Sequence, residues 1–255
     1  MTNLFSIKGR DLQRKLDFIV MATDSRTTIQ TPGGLKIHRE DYQKLFIRDG
    51  LMLCGTGNTN YISSIFSALD IIQNGSNPFM DMKDVADWVM DYTDPKITHL
   101  LDSEFPLKPL AENDILNFHI AGLGKNKELR LIHANTTGNR TYIQKGKDLD
   151  KRGLKEYPVF YDGSGAPYGI EYVSGTPDAP IALVNIEKAL ELAYGVSRHA
   201  TKSFGVNNRM QVGFLATDDK MLYTDATRAP NRWSPKNKGN AGAAFSLPQE
   251  RKYAA

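Results

Sequence analysis

Phe18-Ile19-Val20-Met21-Ala22-Thr23-Asp24-Ser25-Arg26-Thr27-Thr28 is the stretch on which the reading of this chain turns. Five apolar residues in a row, closed by an acidic-basic turn, read as a buried strand that ends at a polar corner. Upstream, Leu4-Phe5-Ser6-Ile7-Lys8 reads as a second strand. The charged, Gly-containing segment from Gly9 to Lys15 joins the two as a hairpin at the N-terminus. A threonine, Thr2, follows Met1 directly. Methionine removal favours small second residues, and a chain starting at Thr2 carries a hydroxyl nucleophile and a free α-amine on one residue.

Further along, Gln43 to Arg48 and Leu51 to Cys54 read as another hairpin around Asp49-Gly50. Two helices follow, from Asn58 to Gln73 with Tyr61, Ile65, Ala68, Leu69 and Ile72 on one face, and from Met82 to Tyr92 with Val85, Trp88 and Val89. Residues 93 to 113 are irregular and carry Pro95, Pro106 and Pro109. Strands are then expected at Ile115 to Ala121, Leu129 to His133, Arg140 to Gln144 and Val159 to Tyr161. A helix from Ala182 to about Thr201 and a hairpin of Met210 to Ala216 with Met221 to Thr224 complete the order. Strands, two helices, strands, a helix and strands suit an α+β sandwich, two sheets covered by helices.

Composition bounds the class. The 255 residues are 40% hydrophobic and 24% charged, enough for a sizeable core in a soluble domain. Without a linker-like break before the tail, we expect one domain over residues 1–225 and a basic C-terminal extension over 226–255. The tail holds Arg228, Arg232, Lys236, Lys238, Arg251 and Lys252 against the single acid Glu250, within a net charge of +3 for the chain. Its prolines, glycines and asparagines favour a solvated arm over a nucleic-acid contact. The single Cys54 excludes an internal disulfide framework, and the chain shows neither a signal-peptide h-region nor an apolar run long enough for a membrane span, so we expect a cytoplasmic protein. His38, His99, His119, His133 and His199 show no His-x-x-x-His spacing, so neither a metal nor another cofactor is expected. Cys54, between Leu53 and Gly55, reads as structural.

Several blocks, in order, resemble the proteasome β-type subunits, which are N-terminal-nucleophile (Ntn) hydrolases. They are Met21-Ala22-Thr23-Asp24-Ser25-Arg26-x-Thr28, Lys44-Leu45-Phe46, Cys54-Gly55-x-Gly57 and Gly163-Ser164-Gly165-Ala166-Pro167-Tyr168-Gly169. The resemblance runs from Thr2 to about Thr224 and implies a four-layer α-β-β-α sandwich of antiparallel sheets. It also implies a threonine-type endopeptidase acting on peptide or protein substrates inside a homo-oligomeric ring, with Thr2, Asp24, Lys44, Gly55, Ser164 and Ser203 as its site.

The chemistry of those residues can be argued separately. A threonine hydroxyl attacks a carbonyl only if its proton is taken, and an α-amine with an ordinary pKa of about 7.7 to 8.0 suits that task. A nearby ammonium, for which Lys44 is the candidate, favours the neutral amine. Asp24 would hold that lysine in place, or else be a turn acid paired with Arg26. Gly55 would offer a backbone N–H to a developing oxyanion, or else belong to a plain strand-to-helix loop. Ser164 reads as an auxiliary polar group or a turn serine.

Three departures stand out. The family commonly places an Asp and a Ser, three residues apart, after its third helix. Here Ser203 fits the serine, while Ala200, or His199 in a shifted alignment, takes the aspartate's place. About six extra residues, Asp11 to Leu16, lengthen the first hairpin, and the tail after Thr224 has no counterpart. Three functions therefore stay open: the threonine peptidase, an Ntn amidase or transpeptidase, and an inactive structural subunit. Thr2, Asp24, Lys44 and Gly55 weigh against the last.

Overall fold

The computed structural model describes residues 2–48, 50–74, 81–92, 115–124, 128–137, 154–156, 158–217 and 221–226. In chain order the strands are β1 (Leu4–Asp11), β2 (Leu16–Asp24), β3 (Thr27–Thr31), β4 (Gly34–Arg39), β5 (Leu45–Arg48) and β6 (Leu51–Thr56). The helices α1 (Thr59–Asn74) and α2 (Met82–Tyr92) follow. Then come β7 (Ile115–Leu123), β8 (Leu129–Thr137), β9 (Leu154–Glu156), β10 (Val159–Asp162), α3 (Ala166–Ser174), α4 (Ile186–Ala200), β11 (Met210–Ala216) and β12 (Met221–Ala226). The result is a mixed α/β fold of antiparallel sheets and helices, in two compact units: residues 1–45 with 158–255, and residues 46–157. Among the described residues no helix is long and apolar enough to cross a membrane.

The first unit is built on a sheet of order β10-β1-β2-β11-β12, with the β3–β4 hairpin as a separate pair. Its core follows the two-residue period of the strands. Phe5 and Ile7 of β1, Phe18, Val20 and Ala22 of β2, and Met210, Val212 and Phe214 of β11 share a cluster with Ala189, Leu192, Ala193 and Val196 of α4. Leu4 and Ser6 therefore take the opposite face. In the second unit, of sheet order β5-β6-β7-β8-β9, Leu51, Leu53, Leu116, Phe118, Ile120 and Ile132 pack against Ile65, Leu69, Val85 and Val89 of α1 and α2.

The α2 bounds match those expected from periodicity. Four elements were not expected, β3, β4, α3 and β9. The Pro32-Gly33 turn closes the β3–β4 hairpin, α3 opens on Ala166-Pro167, and β9 is only three residues long. The single helix expected from Ala182 splits, because Asn185 takes an extended conformation and its side chain accepts from the Lys188 amide at 2.9 Å, capping α4. A short 3-10 turn, Ala179–Leu183, precedes it. The strand expected at Arg140 to Gln144, the irregular stretch 93–113 and nearly all of the basic tail lie outside the described residues.

The lengthened first hairpin has a structural role. Both strands run on to a short turn, and Asp11, fully buried at its corner, accepts from the amides of Gln13 at 3.0 Å and Arg14 at 2.8 Å. Its other oxygen accepts from the Arg14 guanidinium at 2.8 Å and from the Ile186 amide, at the start of α4, at 3.2 Å. Burial works to raise the Asp11 pKa, but these donors outweigh it and hold the carboxyl below its ordinary 3.8. One carboxylate thus joins the turn to the positive end of a helix.

Replacing Asp11 by Ala strands those buried amides and is expected to cost about 1–3 kcal/mol in urea unfolding at pH 7. Because the folded pKa is depressed, the carboxylate's contribution is complete above about 3.8 and fades as pH falls through the lower folded value. Asp11→Asn should therefore show a shallower loss of stability between pH 4 and 2 than the unsubstituted protein.

Candidate active site

Where β1 and β2 meet, the register Leu4↔Thr23, carried back one residue, sets Asn3 opposite Asp24. The Asn3 amide donates to Asp24 Oδ1 at 2.8 Å, the Lys44 Nζ donates to the same oxygen at 3.0 Å, and the Arg26 amide donates to Oδ2 at 2.9 Å. Asp24 and Lys44 are each 1% exposed. A buried ion pair survives only where further hydrogen bonds satisfy its oxygens and protons, and the two backbone amides do so for the carboxylate. Burial lowers the Lys44 pKa below its ordinary 10.5, Asp24 offsets this only in part, and Arg26 adds to the lowering. Burial thus works against the ammonium, and the Asp24 carboxylate at 3.0 Å is the group that favours it.

Thr2 is buried at the head of β1. The alternation that turns Phe5 and Ile7 onto α4 also directs Asn3 that way, and its Nδ2 donates to Ser197 Oγ of α4 at 3.2 Å. The Thr2 side chain accordingly belongs to the other face, with Leu4 and Ser6. Its carbonyl accepts from the Gly165 amide at 3.1 Å. Gly163 has φ +83, and a Cβ there would lie 2.1 Å from the Thr2 carbonyl oxygen, so this loop can close on Thr2 only with glycine at that position.

Ser164 and Ser203 are joined: Ser203 Oγ donates to Ser164 Oγ at 3.2 Å. The two positions considered for a carboxylate differ sharply. Ala200 is fully buried, its Cβ 2.8 Å from where a Cβ on Gly165 would sit. His199 faces outward, with Lys202 Nζ at 2.7 Å from its Nε2, Glu171 at 3.4 Å, and the Tyr172 ring beside it. Neither residue supplies a carboxylate beside the serine pair.

Asp24, Lys44, Ser164, Ser203 and Thr2 thus lie in the first unit, whereas Gly55 lies in the second. Gly55 falls within β6 rather than after it, and a Cβ there would meet the Phe118 ring at 2.8 Å. Packing alone is therefore a sufficient reason for that glycine. Lys44 precedes β5 instead of lying in it, contrary to the strand expected from Gln43. The alternative reading of Asp24 as a surface acid paired with Arg26 is not what is found: the Arg26 side chain instead bridges Glu40, at 3.0 Å, and the Phe204 carbonyl, at 2.7 Å.

Several polar residues of this region carried no signal in the sequence. Gln211 Oε1 accepts from the Lys44 amide although the two residues are 167 apart. Asn207 donates to the Glu40 carboxylate at 2.7 Å. Burial works to raise the Glu40 pKa, yet the Arg26 and Asn207 hydrogen bonds leave it lowered. In the second unit, His119 and His133 are cross-strand partners with rings 5.5 Å apart, a meeting of imidazoles that spacing along the chain cannot reveal.

No family model matches the chain, and no curated protein does. Among solved structures the chain is similar to the Anbu (Gly-1) mutant from Hyphomicrobium sp. strain MC1, with a TM-score of 0.62 and 14% identity over 91% of this chain and 89% of that one. At that identity the likeness speaks for the fold alone. The resemblance to proteasome β-type subunits is accordingly corrected: the similarity found is to Anbu, at the level of fold. The blocks that carried the resemblance are short, and in the structure they account for local features: a polar corner, a glycine loop and one ion pair.

The geometry makes a stability prediction. Lys44→Met leaves the Asp24 carboxylate buried without its cation and should cost about 3–5 kcal/mol in chemical unfolding. Adding Asp24→Asn, which removes the bare charge, should restore part of that loss.

Proposed function

We propose that the chain is a threonine-type amide-bond hydrolase whose nucleophile is Thr2, made N-terminal by removal of Met1. The observation that carries this reading is the shared Asp24 oxygen, which holds both the Asn3 amide and the buried Lys44 ammonium one residue from Thr2. In this reading the Thr2 α-amine takes the hydroxyl proton as Oγ attacks a peptide carbonyl, then passes it to the leaving amine. Water releases the acyl group from the resulting ester. Lys44 keeps the amine neutral and able to accept a proton, Asp24 orients Lys44, and the Ser164–Ser203 hydroxyls assist the amine. The Gly55 N–H is assigned to the oxyanion.

The reading takes residues 1–225 as one catalytic domain of four-layer α-β-β-α type, with residues 226–255 as an arm. Each of the two five-stranded antiparallel sheets, with helices packed on it, supports that choice. We place the enzyme in the cytoplasm as a homo-oligomeric ring, since a peptidase of this kind is a hazard unless enclosed. Ala200 favours a second reading, an amidase or transpeptidase, because the amine lacks the usual carboxylate support and an amine acceptor would then replace water.

Intact mass should show a chain beginning at Thr2. A β-lactone reagent should add one acyl group there, and Thr2→Ala should abolish both labelling and amide cleavage while Thr2→Ser keeps part of each. Full activity in protein that retains Met1 would overturn the reading. Sedimentation at micromolar concentration is expected to give a mass several-fold above 28.5 kDa. An active species at the single-chain mass would instead support the lone amidase.

A further inference from the structure

The segment from Glu40 to Leu45 carries Lys44 from the end of β4 into β5, and side chains hold much of its backbone. The Glu40 carbonyl accepts from Ser25 Oγ at 2.6 Å and from Asn207 Nδ2 at 2.9 Å, while the Tyr42 amide donates to the Ser25 carbonyl at 2.8 Å. Gln211 does the most. Its Oε1 accepts from the amides of Lys44 at 2.8 Å and Leu45 at 3.1 Å, and its Nε2 donates to the Tyr42 carbonyl at 3.0 Å. Only one orientation of the amide satisfies all three bonds, since a flipped amide would set its NH₂ against two N–H groups.

Gln211 is 2% exposed, so it cannot exchange these partners for water. Its own backbone is fixed in β11 opposite Thr23, the residue before Asp24. One side chain therefore ties the backbone of the cation to the strand that carries its anion. A lysine side chain has four rotatable bonds, and a fixed backbone is what confines its ammonium to one place. We infer that Gln211 is the positioning residue that sets Lys44 against Asp24, and thereby beside Thr2; its catalytic consequence rests on the function proposed above.

Gln211→Met keeps the length of the side chain but takes away the acceptor of two buried amides and the donor to Tyr42. Two measurements test the inference. In a crystal structure of the variant, Lys44 Nζ should leave hydrogen-bond distance of Asp24 Oδ1. In the β-lactone assay, acylation of Thr2 followed by intact mass should slow by about 100-fold, the scale expected for an ångström of misplacement. The half-saturating reagent concentration should move less than about threefold, which separates lost positioning from lost binding. Gln211→Glu, which keeps the acceptor for both amides, should preserve the contact and most of the rate.

A Lys44–Asp24 contact unchanged in Gln211→Met, or acylation within about twofold of the unsubstituted rate, would overturn the inference. If unsubstituted protein is not acylated at Thr2, the nucleophile reading fails instead, and the crystal structure still decides the role of Gln211. Should Gln211→Met not fold, Gln211→Asn is read in the same two ways, since its shorter amide cannot reach all three partners.

Discussion

The buried contact between Lys44 and Asp24 is the constraint around which the first unit is arranged. Two full charges removed from water are costly, and their mutual attraction offsets that cost only when the geometry is tight and every remaining polar atom is matched. For the carboxylate the structure meets that demand by turning backbone toward Asp24 from two directions, the Asn3 amide from the head of β1 and the Arg26 amide from the corner after β2. The position of Thr2 follows, because its neighbour is bonded to the carboxylate and its own carbonyl is gripped by the Gly163–Gly165 loop. The ion pair is thus a fixed point for the chain's first residues as well as a source of charge.

Side-chain amides supply what secondary structure does not. Asn3, Asn207 and Gln211 each bond across large sequence separations, to α4, to Glu40 and to the segment bearing Lys44. Each is at least nine-tenths buried. In such surroundings an amide that satisfies its partners specifies one arrangement, since any slip would leave backbone groups bare. Asp11 plays the corresponding part at the far end of the β1–β2 hairpin, binding a turn to the start of α4.

How much of this was legible in the sequence depended on whether the signal was local. The apolar run Phe18 to Ala22 and the period of Met82 to Tyr92 are written within a few residues, and their elements appear where expected. The β3–β4 hairpin was equally local, announced by Pro32-Gly33, but the run of Thr27 to Arg39 is too polar to read as buried strand. The α3 helix was hidden because Gly163, Gly165 and Gly169 look like loop residues, whereas Gly169 is there because a Cβ would crowd Val196 of α4. Asp24 and Lys44 were found through ordered blocks. Gln211, Asn207 and Asn3 were not, since a lone amide has no motif and its meaning exists only once distant strands are paired.

At position 200, where the proteasome-like pattern implied an aspartate, the chain has a fully buried alanine. Ala200 and Gly165 fit closely, and beside them lies Asn3, whose Oδ1 is buried and finds no hydrogen-bond partner among the described residues. The buried polar group on this side is therefore a neutral carboxamide instead of a carboxylate. The charge of Lys44 is offset by Asp24 at 3.0 Å. Under the proposed function, a second carboxylate would favour the protonated form of the Thr2 amine, which cannot accept the hydroxyl proton. Its replacement by a neutral neighbourhood works in the opposite direction, toward the free amine. Under the same proposal, orientation of that amine is left to the hydroxyls of Ser164 and Ser203, which are joined to each other. Under that reading the tuning of the amine is left to the buried lysine, whose charge favours the neutral form, and so to the side chains that hold the lysine still.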